Sequence, residues 1–240
     1  MLAMDLGLQG RVAIVTGASR GLGLGTARAL AAEGALLVLC ARDADRLEAA
    51  ASELATETAT VAADVVDAAT PGLLAATALE RFGGLHVLVA NAGGPPQARA
   101  LDFDDDAMRD AIEANMLSSI RLVRASVPHM RATGWGRICL IASSAVKQPI
   151  PTLAYSNASR AGLWGWAKTA AQDLIDEGIT LNLACPGLHA TDRVANLGFE
   201  GRLGDPDEFG KVVAFLCSQP SGFVSGAALQ VDGAATVGLL

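Results

Sequence analysis

Short runs of Val, Leu, Ile and Ala recur along the chain, and between them lie longer stretches where apolar residues return every three or four positions. The first pattern is that of strands and the second that of amphipathic helices. Strands are predicted near 11–16, 35–40, 59–62, 85–90, 136–142, 179–184 and 227–231. Helices are predicted near 21–33, 44–56, 68–82, 104–132, 153–177 and 207–217. The strand segments are apolar at successive positions, so both faces of their sheet must be covered. Regular alternation with helices implies parallel strands joined by helical crossovers. The expected architecture is α/β: one doubly wound, seven-stranded parallel sheet with helices on both faces, in a single domain over residues 1–240.

Residues that interrupt the apolar pattern gather at one edge of this sheet. Thr16-Gly17-Ala18-Ser19-Arg20-Gly21-Leu22-Gly23 follows the first strand, Arg42 the second, Asp64-Val65 the third and Asn91-Ala92-Gly93 the fourth. Ser143 and Ser144 follow the fifth strand, and Pro186-Gly187 the sixth. Ligands of open parallel sheets bind outside the carboxyl ends of the strands. A glycine turn between strand and helix aims backbone N–H groups and the positive end of a helix dipole at one point, which favours a pyrophosphate. Gly17 permits the tight turn, Gly21 lets the backbone approach the phosphates, and Gly23 lets helix and strand pack closely. In this strand–turn–helix setting the spacing predicts a dinucleotide site on a Rossmann-type fold.

Composition removes several alternatives. A formal charge of −7 and an aromatic content of 4% argue against a basic, base-stacking surface for nucleic acid. Half of the residues are hydrophobic, yet no uninterrupted apolar run approaches the roughly 18 residues of a membrane span. Met1-Leu2-Ala3-Met4-Asp5 does not begin a signal peptide, so a cytoplasmic protein is expected. Cys40, Cys139, Cys185 and Cys217 lie far apart in apolar segments and form no CxxC pair, which points to buried thiols and to no metal site. His86, His129 and His189 are isolated, and hydrogen-bonded or solvated roles are expected for them.

These motifs together resemble the short-chain dehydrogenase/reductase family over nearly the whole chain, closest in pattern to its 3-oxoacyl-carrier-protein reductase-like members. The glycine turn is of the TGxxxGxG type; Asn91-Ala92-Gly93 resembles the motif after the fourth strand, with Ala90 in place of the usual preceding Asn. Asn115 sits in the long fourth helix, Gly136-Arg137-Ile138 leads to Ser143, and Pro186-Gly187 with Thr191 resembles the nicotinamide-side loop. The resemblance implies a nicotinamide dinucleotide held by Gly17, Ser19, Arg20, Gly21, Leu22, Arg42, Asp64, Val65, Asn91, Ala92, Gly93, Tyr155, Pro186, Gly187 and Thr191. Arg42, with Arg20 beside it, can neutralise a ribose 2′-phosphate, which favours NADP(H) over NAD(H); the alternative for each is a solvated surface arginine. Asp64 has a second reading as a cap of the next helix.

The resemblance also assigns Tyr155, the only tyrosine, to proton transfer, Ser143 (with Ser144 as fallback) to holding the substrate oxygen, and Asn115 to organising the site through a water. The family's Lys, four residues after the Tyr and on the same helix face, is missing: Ser159 holds that place. Arg160 lies a further step of about 100° around the helix and is expected to point elsewhere. A free phenol ionises near pH ~10, so without a cationic neighbour alcohol oxidation suffers more than carbonyl reduction. The expected activity is therefore NADP-dependent reduction of a ketone or 3-oxoacyl carbonyl. Its rival is a catalytically silent dinucleotide-binding sensor or inactive partner subunit. Asp192 through Gly201 is a short substrate-covering stretch, read either as leaving an open cleft for a bulky or carrier-borne substrate or as a tolerated loop deletion. Trp164 and Trp166 lie on a helix that family members pair across subunits, so a homotetramer or dimer is expected.

Overall fold

A computed structural model describes residues 4–102, 104–195, 199 and 201–239. Its core is one parallel sheet in the order β3-β2-β1-β4-β5-β6-β7. The strands are β1 Val12–Thr16, β2 Leu36–Ala41, β3 Thr58–Ala62, β4 Val87–Ala90, β5 Gly136–Ile141, β6 Ile179–Pro186 and β7 Ala228–Val231. Every residue of β1, β4 and β5 is buried, as two covered faces require. The helices are α1 Gly21–Ala32, α2 Ala44–Ser52, α3 Thr70–Phe82, α4 Asp105–Ile112, α5 Ser118–Thr133, α6 Ala154–Leu174, α7 Asp192–Ala195 and α8 Pro206–Leu216. The doubly wound α/β expectation holds. Among the described residues no helix is long and apolar enough to cross a membrane.

Two apolar clusters fill the space on either side of the sheet. Leu74 of α3, Leu122 of α5 and Leu163 of α6 meet one face, and Leu30 of α1 with Phe209 and Val213 of α8 meet the other. Helices α1 and α8 touch backbone to backbone: a Cβ on Gly25 would lie 2.2 Å from the Pro206 carbonyl oxygen, and one on Gly210 would lie 2.2 Å from that of Gly25.

Three expected elements are corrected. The helix expected over 104–132 is interrupted by a π-helical turn, Glu113–Leu117, centred on Asn115. One extra residue in the hydrogen-bonded ring re-aims the helix without Pro or Gly, and such turns cluster at functional sites. Helix α6 stops at Leu174, gives way to a 3₁₀ turn, Ile175–Glu177, and ends at Gly178 with φ 76°. The short α7 lies in a segment read as loop.

The chain order reverses direction between β1 and β4, which are hydrogen-bonded neighbours. Beyond their carboxyl ends lies the crevice that such a switch point creates.

Candidate active site

The glycine turn closes this crevice on one side. Gly17 and Gly21 have φ of 59° and 56°, a region that strongly favours glycine. A Cβ on Gly17 would meet Asn91 Nδ2 at 2.6 Å, and one on Gly23 would meet the Gly17 carbonyl oxygen at 2.2 Å. The turn is also tied across the switch point: Thr16 Oγ1 donates to the Asn91 carbonyl and accepts the Asn91 N–H, both at 2.8 Å. Thr16 was not among the expected site residues, although its place before the glycines marked it.

Helix α1 opens on Arg20 with no side-chain cap and no acidic residue in its first turn. Helices α2, α4 and α8, by contrast, each begin with an Asp (Asp43, Asp104, Asp205) whose carboxylate accepts a backbone N–H. The N-terminus of α1 is thus left open to an external anion, beside a turn with no room for side chains. These residues fit a dinucleotide pyrophosphate.

Charges around the cleft are paired differently from expectation. Arg20 does not stand beside Arg42 as a second free cation. Its Nη1 lies 2.7 Å from Asp192 at the start of α7, because the loop after β6 folds back over the glycine turn and packs Thr191 against Gly21. Arg42 lies 3.8 Å from Asp64 and is largely exposed, so it keeps most of its hydrogen-bonding capacity for a ligand. Asp64 does not cap α3; its Oδ1 accepts the Val66 N–H in a local turn.

Helix α7 crosses the cleft like a strap. At one end Asp192 binds Arg20; at the other Arg193 donates to the Pro95 carbonyl at 3.3 Å and lies where a Gly94 side chain would stand. The expected shortened cover, Asp192–Gly201, continues into residues 196–198 and 200, which lie outside the described residues. Behind the strap a cavity of about 180 Å³ runs between the 93–96 loop and α4, and it ends on Asn115. Asn115 is buried; Nδ2 donates to the Ala111 carbonyl, and Oδ1 finds no donor among the described residues. A buried acceptor without a partner calls for a donor from water or ligand.

Ser143 follows β5 at the mouth of the crevice. Its Oγ accepts the Ala145 N–H at 3.1 Å, which fixes the rotamer and leaves the hydroxyl proton to donate. Ser144 begins the 3₁₀ turn that this bond caps. Pro186 ends β6, and Gly187 approaches Asp232 so closely that a Cβ would lie 2.8 Å from it.

The first turns of α6 depart most from expectation. Tyr155 is buried, and its Oη accepts the Asp104 N–H of the α4 cap at 3.0 Å. Ser159 does not reach out from the lysine position: its Oγ donates back to the Tyr155 carbonyl at 2.7 Å. Arg160, expected to point elsewhere, is buried with Nη1 on the carbonyl of Ile141, the last residue of β5. Burial and the neighbouring Arg193 pull its guanidinium down to about 10, still cationic at neutral pH. The apolar positions Leu163, Ala167, Ala171 and Leu174 already showed which face meets the sheet.

Comparison with known proteins agrees with this geometry. The family model described as short chain dehydrogenase matches residues 11–200. A 3-oxoacyl-[acyl-carrier-protein] reductase of Escherichia coli (strain K12) is 31% identical, covering 95% of this chain and 98% of that protein. L-sorbose reductase of Gluconobacter frateurii, solved with NADPH and L-sorbose, superposes with a TM-score of 0.89 at 32% identity, over 96% of this chain and 98% of that one. A 7α-hydroxysteroid dehydrogenase complexed with NADH and 7-oxo-glycochenodeoxycholic acid gives a TM-score of 0.91 at 29% identity, over 95% of both chains. With the glycine turn, the switch-point crevice and the serine after β5 all in place, the chain belongs to the short-chain dehydrogenase family.

Proposed function

We propose that the protein is an NADPH-dependent carbonyl reductase that converts a ketone or 3-oxoacyl carbonyl to an alcohol. The observation that carries the coenzyme preference is Arg42 at the end of β2, exposed and only loosely engaged by Asp64. An acidic residue there would accept from a ribose 2′-hydroxyl, whereas a guanidinium binds a 2′-phosphate by charge-assisted hydrogen bonds. L-sorbose reductase, solved with NADPH, supports the same coenzyme, and the 3-oxoacyl-[acyl-carrier-protein] relative supports the carbonyl substrate. Gly17, Ser19, Gly21 and Leu22 hold the pyrophosphate, Asp64 and Val65 flank the adenine, and Asn91-Ala92-Gly93 with Pro186, Gly187 and Thr191 frame the nicotinamide end.

When bound, the coenzyme supplies a hydride to the carbonyl carbon. The chain's own part is to hold the oxygen and deliver a proton to it. Ser143 donates its free O–H to that oxygen. The proton comes from the first turn of α6, where Tyr155 and Ser156 are buried hydroxyls. Asn115 Oδ1 holds a water at the end of the cavity that reaches it. The cavity between the 93–96 loop and α4 supports a substrate chain lying against α4. A homotetramer or dimer is part of the same proposal, with Trp164 and Trp166 on the partner-facing helix.

The test is calorimetric titration with NADPH and NADH, followed by turnover with small ketones and acyl-thioester β-ketones. NADPH binding at least tenfold tighter than NADH, with ketone-dependent oxidation of NADPH, is expected. Tight NADPH binding without turnover of any ketone would favour the silent sensor or inactive partner subunit instead.

A further inference from the structure

The first two turns of α6 carry five polar side chains, and their neighbours sort them onto different faces. Asn157 clamps the preceding loop through both backbone groups of Ile150, Tyr155 meets the cap of α4, and Ser159 bonds its own helix. Arg160 meets the end of β5. Ser156 is 5% exposed, and its hydroxyl makes no hydrogen bond to the described residues. Further along, Leu163, Ala167, Ala171 and Leu174 form the stripe packed in the cluster shared with β5 and β6. At about 100° per residue, that stripe extended backwards passes within about 30° of Ser156 and Arg160. It misses Ser159 by about 75° and Tyr155 by about 115°.

We infer that the working face of α6 is Ser156–Arg160: Arg160 is the cation that holds the ribose hydroxyls at the nicotinamide end, and Ser156, one turn before it, is the hydroxyl that serves the substrate oxygen. The inference rests on the coenzyme assignment above. A guanidinium carries five N–H donors in a fixed fork, and Ile141 takes one of them. Arg193 of the strap is near enough to Arg160 to disfavour its charge. Arg160 is buried and Arg193 is exposed beside it, and an electron-rich ligand between the two would offset their repulsion. Arg160 thus fills the task left open at residue 159. Tyr155 positions α4 and the cavity wall.

The experiment compares R160A, R160Q, R160K, S156A and Y155F by NADPH titration, steady-state kinetics and circular dichroism. R160A should weaken NADPH binding about 10- to 100-fold, as expected for losing hydrogen bonds to a charged donor, and R160K should recover most of it. If R160A does not fold, R160Q, which keeps a donor for Ile141, must still bind NADPH about tenfold more weakly. S156A should lower kcat while leaving the KM for NADPH unchanged, and Y155F should retain at least tenfold more turnover than S156A. Equal NADPH binding by the parent and the folded Arg160 variants overturns the inference alone. So does Y155F turnover below that of S156A. Failure of the parent to bind either nucleotide overturns the coenzyme assignment and the inference together.

Discussion

Arg137 and Arg160 are both buried, and they sit at opposite ends of β5. At the amino end, Arg137 Nε donates to the Ser218 carbonyl and Nη1 to those of Gly136 and Gly178. Its guanidinium also lies 4.4 Å from the Trp135 ring, with Arg11 4.0 Å from the same ring. At the carboxyl end, Arg160 donates to Ile141 only, among the described residues. At the amino end the guanidinium of Arg137 is satisfied by three carbonyls, although Thr180 Oγ1, across from it on β6, is buried without a partner among the described residues. The carboxyl end leaves Asn115 Oδ1 and the open N-terminus of α1 to be satisfied from outside. The difference teaches that the guanidinium at the amino end is spent on the fold, while the one at the carboxyl end makes a single hydrogen bond among the described residues.

The sharpest way to break that contrast is to truncate each arginine. R137A strands three carbonyls and should cost about 3–5 kcal/mol, leaving the NADPH affinity of the folded fraction unchanged. R160A should do the reverse, losing much affinity at a smaller cost in stability. Urea denaturation with and without NADPH reads both quantities, and equal losses of stability would erase the distinction. Next in size is coenzyme choice. R42D should reverse the preference of NADPH over NADH by about 10- to 100-fold, since the guanidinium is replaced by a carboxylate that repels phosphate. An unchanged ratio in competitive titration would move the 2′-phosphate site elsewhere.

Smaller effects test the strap and the amino edge. D192N releases Arg20 from an exposed ion pair worth about 0–1 kcal/mol, so NADPH should bind up to about fivefold tighter, as measured by stopped-flow fluorescence. Weaker binding would mean that Asp192 serves the ligand itself. His86 accepts the Val12 N–H through Nδ1, and burial, aided by Arg11, lowers its pKa below the ordinary 6.5. A depressed imidazole favours the neutral folded form, so its contribution is present above pH 6.5 and is lost as the pH falls below it. The parent should lose slightly more stability than H86Q between pH 7.5 and pH 5, in parallel thermal melts. A larger loss in H86Q would reverse that assignment.

Much of this was legible along the chain. The strands stood out because parallel strands covered on both faces must be apolar at every position. The glycine turn stood out because its constraints are local: Gly17 and Gly21 need φ near 60° and Gly23 needs contact distance, whatever surrounds them. The π-helical turn at Asn115 was not legible, since neither Pro nor Gly marks it and its extra residue is stabilised by packing against α6. The pairing of Arg20 with Asp192 joins residues 172 positions apart, beyond the reach of any local pattern. Ser159 and Arg160 differ by one position, and one position decides whether a side chain meets the sheet or its own helix.

Apolar periodicity and the glycine spacing determined by themselves that this chain is a doubly wound α/β domain with a dinucleotide crevice, because backbone sterics and burial act over a few residues. Which polar side chains enter the crevice was decided by tertiary structure alone. Helix rotation, strand-end carbonyls and a strap from the far end of the chain set each charge against its partner, and a guanidinium finds its partner through space rather than through sequence.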